Sequence, residues 1–179
     1  MGGHHRTQGA SDEWYTPPEV FEALGLDFHL DPCSPPWPAC DWIPATSRIS
    51  LPDDGLTAQW VGRVWMNPPY GRGVSRWMRR LAAHGNGIAL VFARTDTAWF
   101  HETVGAASAL CFIEGRLNFI PADPTHVAPN RTNSSSGAPS MLVAYGQECA
   151  EAVAQCELGM VFAVNSTGLN GQAQLWEIR

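Results

Sequence analysis

Asn67 is followed by Pro68, Pro69 and Tyr70, directly after the apolar run Val64-Trp65-Met66. A proline has no N–H to donate, so the side-chain oxygen of Asn67 and the stiffly held main-chain carbonyls around it are all acceptors. Such a cup suits an –NH2 group, and the Tyr70 ring offers a face on which a planar base can stack, a contact of about 1–3 kcal/mol. The same tetrapeptide has a plainer use, with Asn67 capping a turn at a strand end and Tyr70 packed on the core. Two further places put polar groups directly after apolar runs: Asp31-Pro32-Cys33, and Arg94-Thr95-Asp96. In open α/β sheets ligands bind beyond the carboxyl ends of the strands, so these three places are the first to search.

That argument requires strands ending at those points. FHLD (residues 28–31) and RVWM (63–66) are short runs leading into prolines and polar residues. GIALVFA (87–93) and ALCFIE (109–114) are continuous apolar runs, and residues 97–107 between them are long enough for a crossover helix, which makes a βαβ unit. Val74, Trp77, Met78 and Leu81 fall at i, i+3, i+4 and i+7, predicting a helix from Gly73 with Arg76, Arg79 and Arg80 largely off its buried face. An earlier helix is expected over residues 17–24, opened by two prolines and stopped by Gly25. RLNFI and SMLVAYG read as late strands, followed by a helix at 148–155 and a strand-rich tail. The expected class is α/β, with a mostly parallel sheet and a late antiparallel strand, in one domain over residues 1–179.

Composition narrows the functions open to such a domain. Lys and Arg total 11 against 17 Asp and Glu, a formal net charge of -6, with 45% of residues hydrophobic and 16% charged. A chain of this kind encloses one sizeable core and contains no apolar run of the roughly 18 residues that a membrane span needs. Its acidity excludes a charge-driven nucleic-acid coat but leaves room for a local basic groove. The start has neither an apolar signal region nor transit-peptide character, so the cytoplasm is expected. Five cysteines without a C-x-x-C pair read as reduced, mostly buried thiols, and the six histidines form no metal-ligand spacing. Neither a Ser/His/Asp elbow nor a phosphate-binding glycine loop is present, which removes hydrolases and nucleotide triphosphatases. A flexible start (1–11) and a mobile loop (121–138, containing NRTNSSSG) complete the expected organisation.

NPPY in this setting resembles the catalytic motif of S-adenosylmethionine-dependent amino-methyltransferases. The wider pattern is similar to the phage-encoded DNA N6-adenine methyltransferases (Dam-like family). The resemblance spans about residues 12–146, through DEWYTPPEV (12–20), LDPCS (30–34), DGL (54–56) with Trp60, VWMNPPYG (64–71), IALVFARTDTAWF (88–100), FIEGRLNF (112–119) and SMLVAYG (140–146). It implies a Rossmann-like methyltransferase sheet, S-adenosyl-L-methionine as cofactor, DNA as partner, no metal, and the host cytoplasm if the gene is a phage's. Asn67, Pro68, Pro69 and Tyr70 would then take the target base. Tyr15, Thr16 and Pro17 would hold the cofactor's methionine carboxylate, with Thr16 donating the hydrogen bond. Asp31, ahead of Pro32, would face the ammonium, and Asp54 would read the adenine amine of the cofactor. Read without the resemblance, Thr16 serves as a helix N-cap, Asp31 as a turn residue and Asp54 as part of an Asp-Asp-Gly turn, in which Asp53 can be the residue that matters. Ser34-Pro35-Pro36-Trp37-Pro38 stands where methyltransferases in general have a glycine-rich turn, a departure the phage family tends to share; Trp37 either walls the cofactor bed or fills core.

The exocyclic amine of adenine is a poor nucleophile, because its lone pair is delocalised into the ring. Aimed acceptors at Asn67 and Pro68 would favour the developing cation without a carboxylate base. Reaching N6 in a duplex requires base flipping. Arg72, Arg76, Arg79, Arg80, Arg94, Arg116 and Arg131 are candidate phosphate contacts or a solvated surface, and the 121–138 loop is either a DNA-contacting element or a linker. Two other functions fit the same residues: a methyltransferase acting on a protein glutamine or an RNA base, and a non-catalytic DNA-binding module that keeps the fold. Nothing in the sequence specifies a target site or an oligomeric state.

Overall fold

The computed structural model describes residues 14–122 and 137–164. In chain order its elements are β1 (Trp14–Tyr15), α1 (Pro18–Leu24), β2 (Phe28–Asp31), β3 (Ala45–Arg48), β4 (Val64–Met66), α2 (Val74–His84), β5 (Gly87–Phe92), α3 (Ala98–Thr103) with a 3-10 turn (Val104–Ala106), β6 (Ala109–Ile113), β7 (Ile120–Pro121), β8 (Ser140–Tyr145), α4 (Gln147–Gln155) and β9 (Gly159–Ala163). The expected flexible start, Arg131, most of the 121–138 loop and the tail beyond residue 164 lie outside the described residues.

A sheet covered on both faces needs strands that are apolar at successive positions, and β4, β5 and β8 are buried along nearly their whole length. The seven-stranded sheet has the order β3-β2-β4-β5-β8-β6-β9. β3, β2, β4 and β5 pair in parallel, β8 is antiparallel to β5 and β6, and β9 is antiparallel to β6. Five strands therefore run one way, with β8 and β9 opposed. β5 and β6 are parallel and joined through α3, as their sequences predict, but they are not neighbours. β8 is inserted between them and ladders with both, so the expected βαβ unit is split.

Successive side chains of each strand face opposite helical layers. Val20, Phe21 and Leu24 of α1 and Cys149 and Val153 of α4 pack with Phe28, Trp65, Ile88 and Leu142. Trp77, Met78 and Leu81 of α2 and Trp99 of α3 pack with Leu30, Val64, Met66, Val91 and Val143 on the other side. Helix α1 begins one residue later than expected, because Pro17 is extended (φ -70, ψ 150) and acts as N-cap while Pro18 takes the first turn. It ends at Gly25, whose φ of +56 lets its N–H return to the Phe21 carbonyl. RLNFI adds no strand to the seven-stranded sheet: Leu117 and Phe119 are buried, and Ile120 with Pro121 forms β7, which pairs with Trp14–Tyr15 in a separate two-stranded sheet. All five cysteines are free thiols, four buried and Cys33 half-buried. Among the described residues no helix is long and apolar enough to cross a membrane.

Candidate active site

After β2 the chain crosses to β3 on one side of it and returns to β4 on the other, so the order reverses between β2 and β4. Ligands in open α/β sheets bind in the crevice outside the strand ends at such a reversal. Here a cavity of about 840 Å3 lies there, within the roughly 300–1,000 Å3 usual for small-molecule and cofactor sites. Its lining comes mainly from the residues after β2, β3 and β4, the last residue of β5, and the Trp14–Thr16 segment, with Trp65 of β4 and Trp77 of α2. Tyr15, Thr16, Asp31, Pro32, Asp54, Asn67, Pro68, Pro69 and Tyr70 all line it, so nine expected site residues from four distant segments share one space. Pro17 is not among the lining residues; it is the extended N-cap of α1 instead.

Asp31, the last residue of β2 and 2% exposed, lines this space. Its Oδ1 accepts the Cys33 N–H at 3.1 Å. Burial pushes the carboxyl from its ordinary 3.8 up to about 7, and the Cys33 N–H and the Arg48 charge only partly oppose that rise. Thr16 is also 2% exposed, and its hydroxyl has no hydrogen-bond partner among the described residues. A buried hydroxyl without a partner costs about 1–3 kcal/mol, which a ligand atom in the cavity would offset. The Thr16 carbonyl accepts the Trp42 indole N–H at 2.9 Å, which fixes the backbone that carries the hydroxyl.

The Asp53–Asp54–Gly55 turn forms the wall after β3. Asp54 Oδ1 accepts the N–H of Leu56 at 2.9 Å, so this carboxylate is engaged in its own turn; Asp53 lines the cavity beside it. Arg80 holds the following loop by donating to the Leu56 carbonyl at 2.6 Å and to that of Ala58, with its guanidinium 4.8 Å from the Trp60 ring. Arg80 is thereby a strut for this loop. Trp60 in turn donates to the Gly55 carbonyl at 2.8 Å. Gly55 itself touches the strand-end segment, because a Cβ built there would sit 1.7 Å from the Pro32 carbonyl oxygen. Gly55→Ala is therefore expected to separate the two walls, lowering the melting temperature and weakening cofactor binding at least tenfold in a titration.

Asn67 is half-buried at the end of β4. Its Nδ2 donates to the Trp14 carbonyl at 3.2 Å, and its Oδ1 accepts the Tyr70 hydroxyl at 2.9 Å. These two bonds set the amide orientation and leave the oxygen a second lone pair. The Tyr70 ring has aromatic neighbours of its own. Phe92 stacks on it at 4.1 Å between centroids and 9° between planes, and Phe119 meets it at 6.2 Å and 80°. Burial raises the Tyr70 hydroxyl well above the ordinary phenol range, so it stays a donor.

Arg72, Arg76, Arg94 and Arg116 are exposed and outside the cavity lining. Arg72, Arg94 and Arg116 follow β4, β5 and β6, which run in one direction, so all three stand at the same end of the sheet as the cavity. Arg79 pairs instead with Glu102 at 2.7 Å. Trp37, expected to wall the cofactor or fill core, is 70% exposed, with the Arg48 guanidinium 5.3 Å from its ring. Among the described residues no group of three or more His, Cys, Asp or Glu could hold a metal ion.

Three contributors escaped the sequence reading. Strand β3, which leads into the Asp53–Asp54–Gly55 wall, was missed because ATSR is short, polar and an edge strand; Phe92 was passed over for the polar residues after it, although it ends a strand; and the Trp14 carbonyl leaves no side-chain signal at all.

The fold and the cavity define an α/β protein with its ligand site at the switch point of the sheet. Comparison with known families finds the DNA N-6-adenine-methyltransferase (Dam) family matching residues 3–156. The chain belongs to that family and is a DNA adenine-N6 methyltransferase. Comparisons with curated proteins and with solved structures find no match.

Proposed function

We propose that the chain transfers a methyl group from S-adenosyl-L-methionine to the N6 amine of an adenine swung out of DNA. It does so on a Rossmann-like methyltransferase sheet, as a single domain working in the cytoplasm. The observation carrying this reading is that Thr16, Asp31, Asn67 and Tyr70 border one continuous cavity at the switch point. A buried carboxylate and a buried hydroxyl without a partner suit the ammonium and the carboxylate of an amino-acid moiety. Tyr15 and Pro32 close that end, and Asp53 or Asp54 meets the nucleoside end. When bound, the cofactor supplies a methyl group already activated on a sulfonium.

The chain's own task is to orient and polarise the amine. Asn67 Oδ1, with its remaining lone pair, and the Pro68 carbonyl accept from N6–H as positive charge develops on nitrogen, which is preorganised electrostatic stabilisation. Pro68 and Pro69 keep that backbone from adjusting. Stacking on Tyr70 offsets part of the cost of taking the base out of the duplex. Arg72, Arg94 and Arg116, with Arg76 at the start of α2, give an acidic protein a positive rim for phosphates around the cavity mouth.

Incubating the protein with S-adenosyl-L-methionine labelled on its methyl group and with plasmid DNA, RNA or a glutamine peptide tests the reading. Label is expected in DNA as N6-methyladenine; label only in RNA or peptide moves the substrate, and none anywhere leaves a non-catalytic module. Thr16→Val removes the unpartnered hydroxyl at nearly constant shape. It should leave the thermal stability of the ligand-free protein unchanged or slightly higher while weakening cofactor binding about tenfold, as read by calorimetry.

A further inference from the structure

We propose that Phe92 is a positioning residue for the target base: it backs Tyr70, so that the flipped adenine, Tyr70 and Phe92 form one three-layer stack. The inference rests on the base pocket argued above and deepens it. Three contacts hold the Tyr70 ring, of which the edge-on approach of Phe119 at 6.2 Å and 80° is the longest, and the other two set its position. Its hydroxyl is tied to Asn67 Oδ1 at 2.9 Å, which fixes the tip, and the nearly parallel Phe92 ring at 4.1 Å fixes the plane. Phe92 can serve as such a platform because it is the last residue of β5, a strand laddered on both edges, parallel to β4 and antiparallel to β8, with Phe92 itself opposite Ser140. The preceding five residues of β5 are buried, whereas Phe92 is half-buried and lines the cavity.

The same geometry decides which side of Tyr70 the base takes. Entry between the two rings would require them to part from 4.1 Å to about 7 Å, two aromatic contact distances, and would pull the Tyr70 tip off Asn67. The base therefore meets the face of Tyr70 away from Phe92, where the amine can reach the Asn67 oxygen without disturbing its bond to Tyr70. A tilt of Tyr70 alters the angle at which N6 is presented, so Phe92 acts on the reaction through its neighbour.

Steady-state methylation of a duplex, together with fluorescence of a duplex carrying 2-aminopurine at the target adenine, separates a ring platform from mere filling. Phe92→Leu keeps apolar volume without a π-face, and Phe92→Tyr keeps the ring. Phe92→Leu is expected to lower kcat/KM for DNA about tenfold and to brighten enzyme-bound 2-aminopurine, with the cofactor Kd and the melting temperature near wild type. Phe92→Tyr should restore both readouts. Wild-type kinetics in Phe92→Leu, or a loss confined to cofactor binding, overturns the proposal while leaving the base pocket intact. A wild-type protein that neither methylates DNA nor changes 2-aminopurine fluorescence defeats the pocket reading and this one with it.

Discussion

Asn67→Ala lowers the rate of adenine methylation by about 10²–10³-fold, the usual cost of removing one preorganised polar group facing a developing charge. The cofactor Kd, measured separately, stays within about twofold, because Asn67 comes from a different strand end than Thr16 and Asp31. The loss should fall on kcat as well as on kcat/KM, the mark of an interaction strongest in the transition state. Asn67→Asp tests the same site from another side. A carboxylate still accepts hydrogen bonds, but it cannot donate to the Trp14 carbonyl that the amide now contacts at 3.2 Å, and it sets two acceptors against each other. It is expected to be nearly as impaired as the alanine variant at neutral pH. Full activity in Asn67→Ala would remove the chemistry assigned to the cup.

The second large effect is at Asp31. Its folded-state pKa of about 7 lies above the ordinary 3.8, so between those values the folded protein binds a proton that the unfolded chain has released. The stability contributed by this group is complete below about 3.8 and is lost as pH rises through about 7, amounting at most to about 4 kcal/mol at 1.36 kcal/mol per unit. Asp31→Asn should therefore make the ligand-free protein more stable than wild type at pH 8, with the difference vanishing near pH 4 in thermal melts. Function moves the other way. An ammonium in the cavity needs the ionised carboxylate, so wild-type cofactor affinity should fall about tenfold from pH 8 to pH 6, and Asp31→Asn should lose about 100-fold at pH 8 together with that slope. A flat pH dependence in wild type would show that Asp31 does not face the charged end of the ligand.

The strand ends that carry Asp31 and Asn67 were legible because apolar runs stop there at prolines, and proline cannot continue a ladder. Helix α2 was legible because Trp77, Met78 and Leu81 keep a helical spacing regardless of context. Strand β3 was not, since Thr46 and Ser47 are exposed on an edge and owe their strand conformation to pairing with β2 rather than to their own pattern. The insertion of β8 between β5 and β6 was equally hidden: all three runs are apolar throughout, and nothing local in such a run states its neighbour. In the site, side-chain roles could be expected from residue type, whereas the Tyr70–Phe92 stack and the Asn67–Trp14 bond exist only once distant segments are brought together.

Trp14, Tyr15 and Thr16 form one continuous stretch of the cavity wall. The carbonyl of the first holds the Asn67 amide, the third carries the buried hydroxyl without a partner among the described residues, and the ladder to Ile120–Pro121 anchors the piece. The end of β4 and the wall ahead of α1 are therefore held by one short piece of backbone, and part of the cavity's outline is set by three residues that no strand of the large sheet contains.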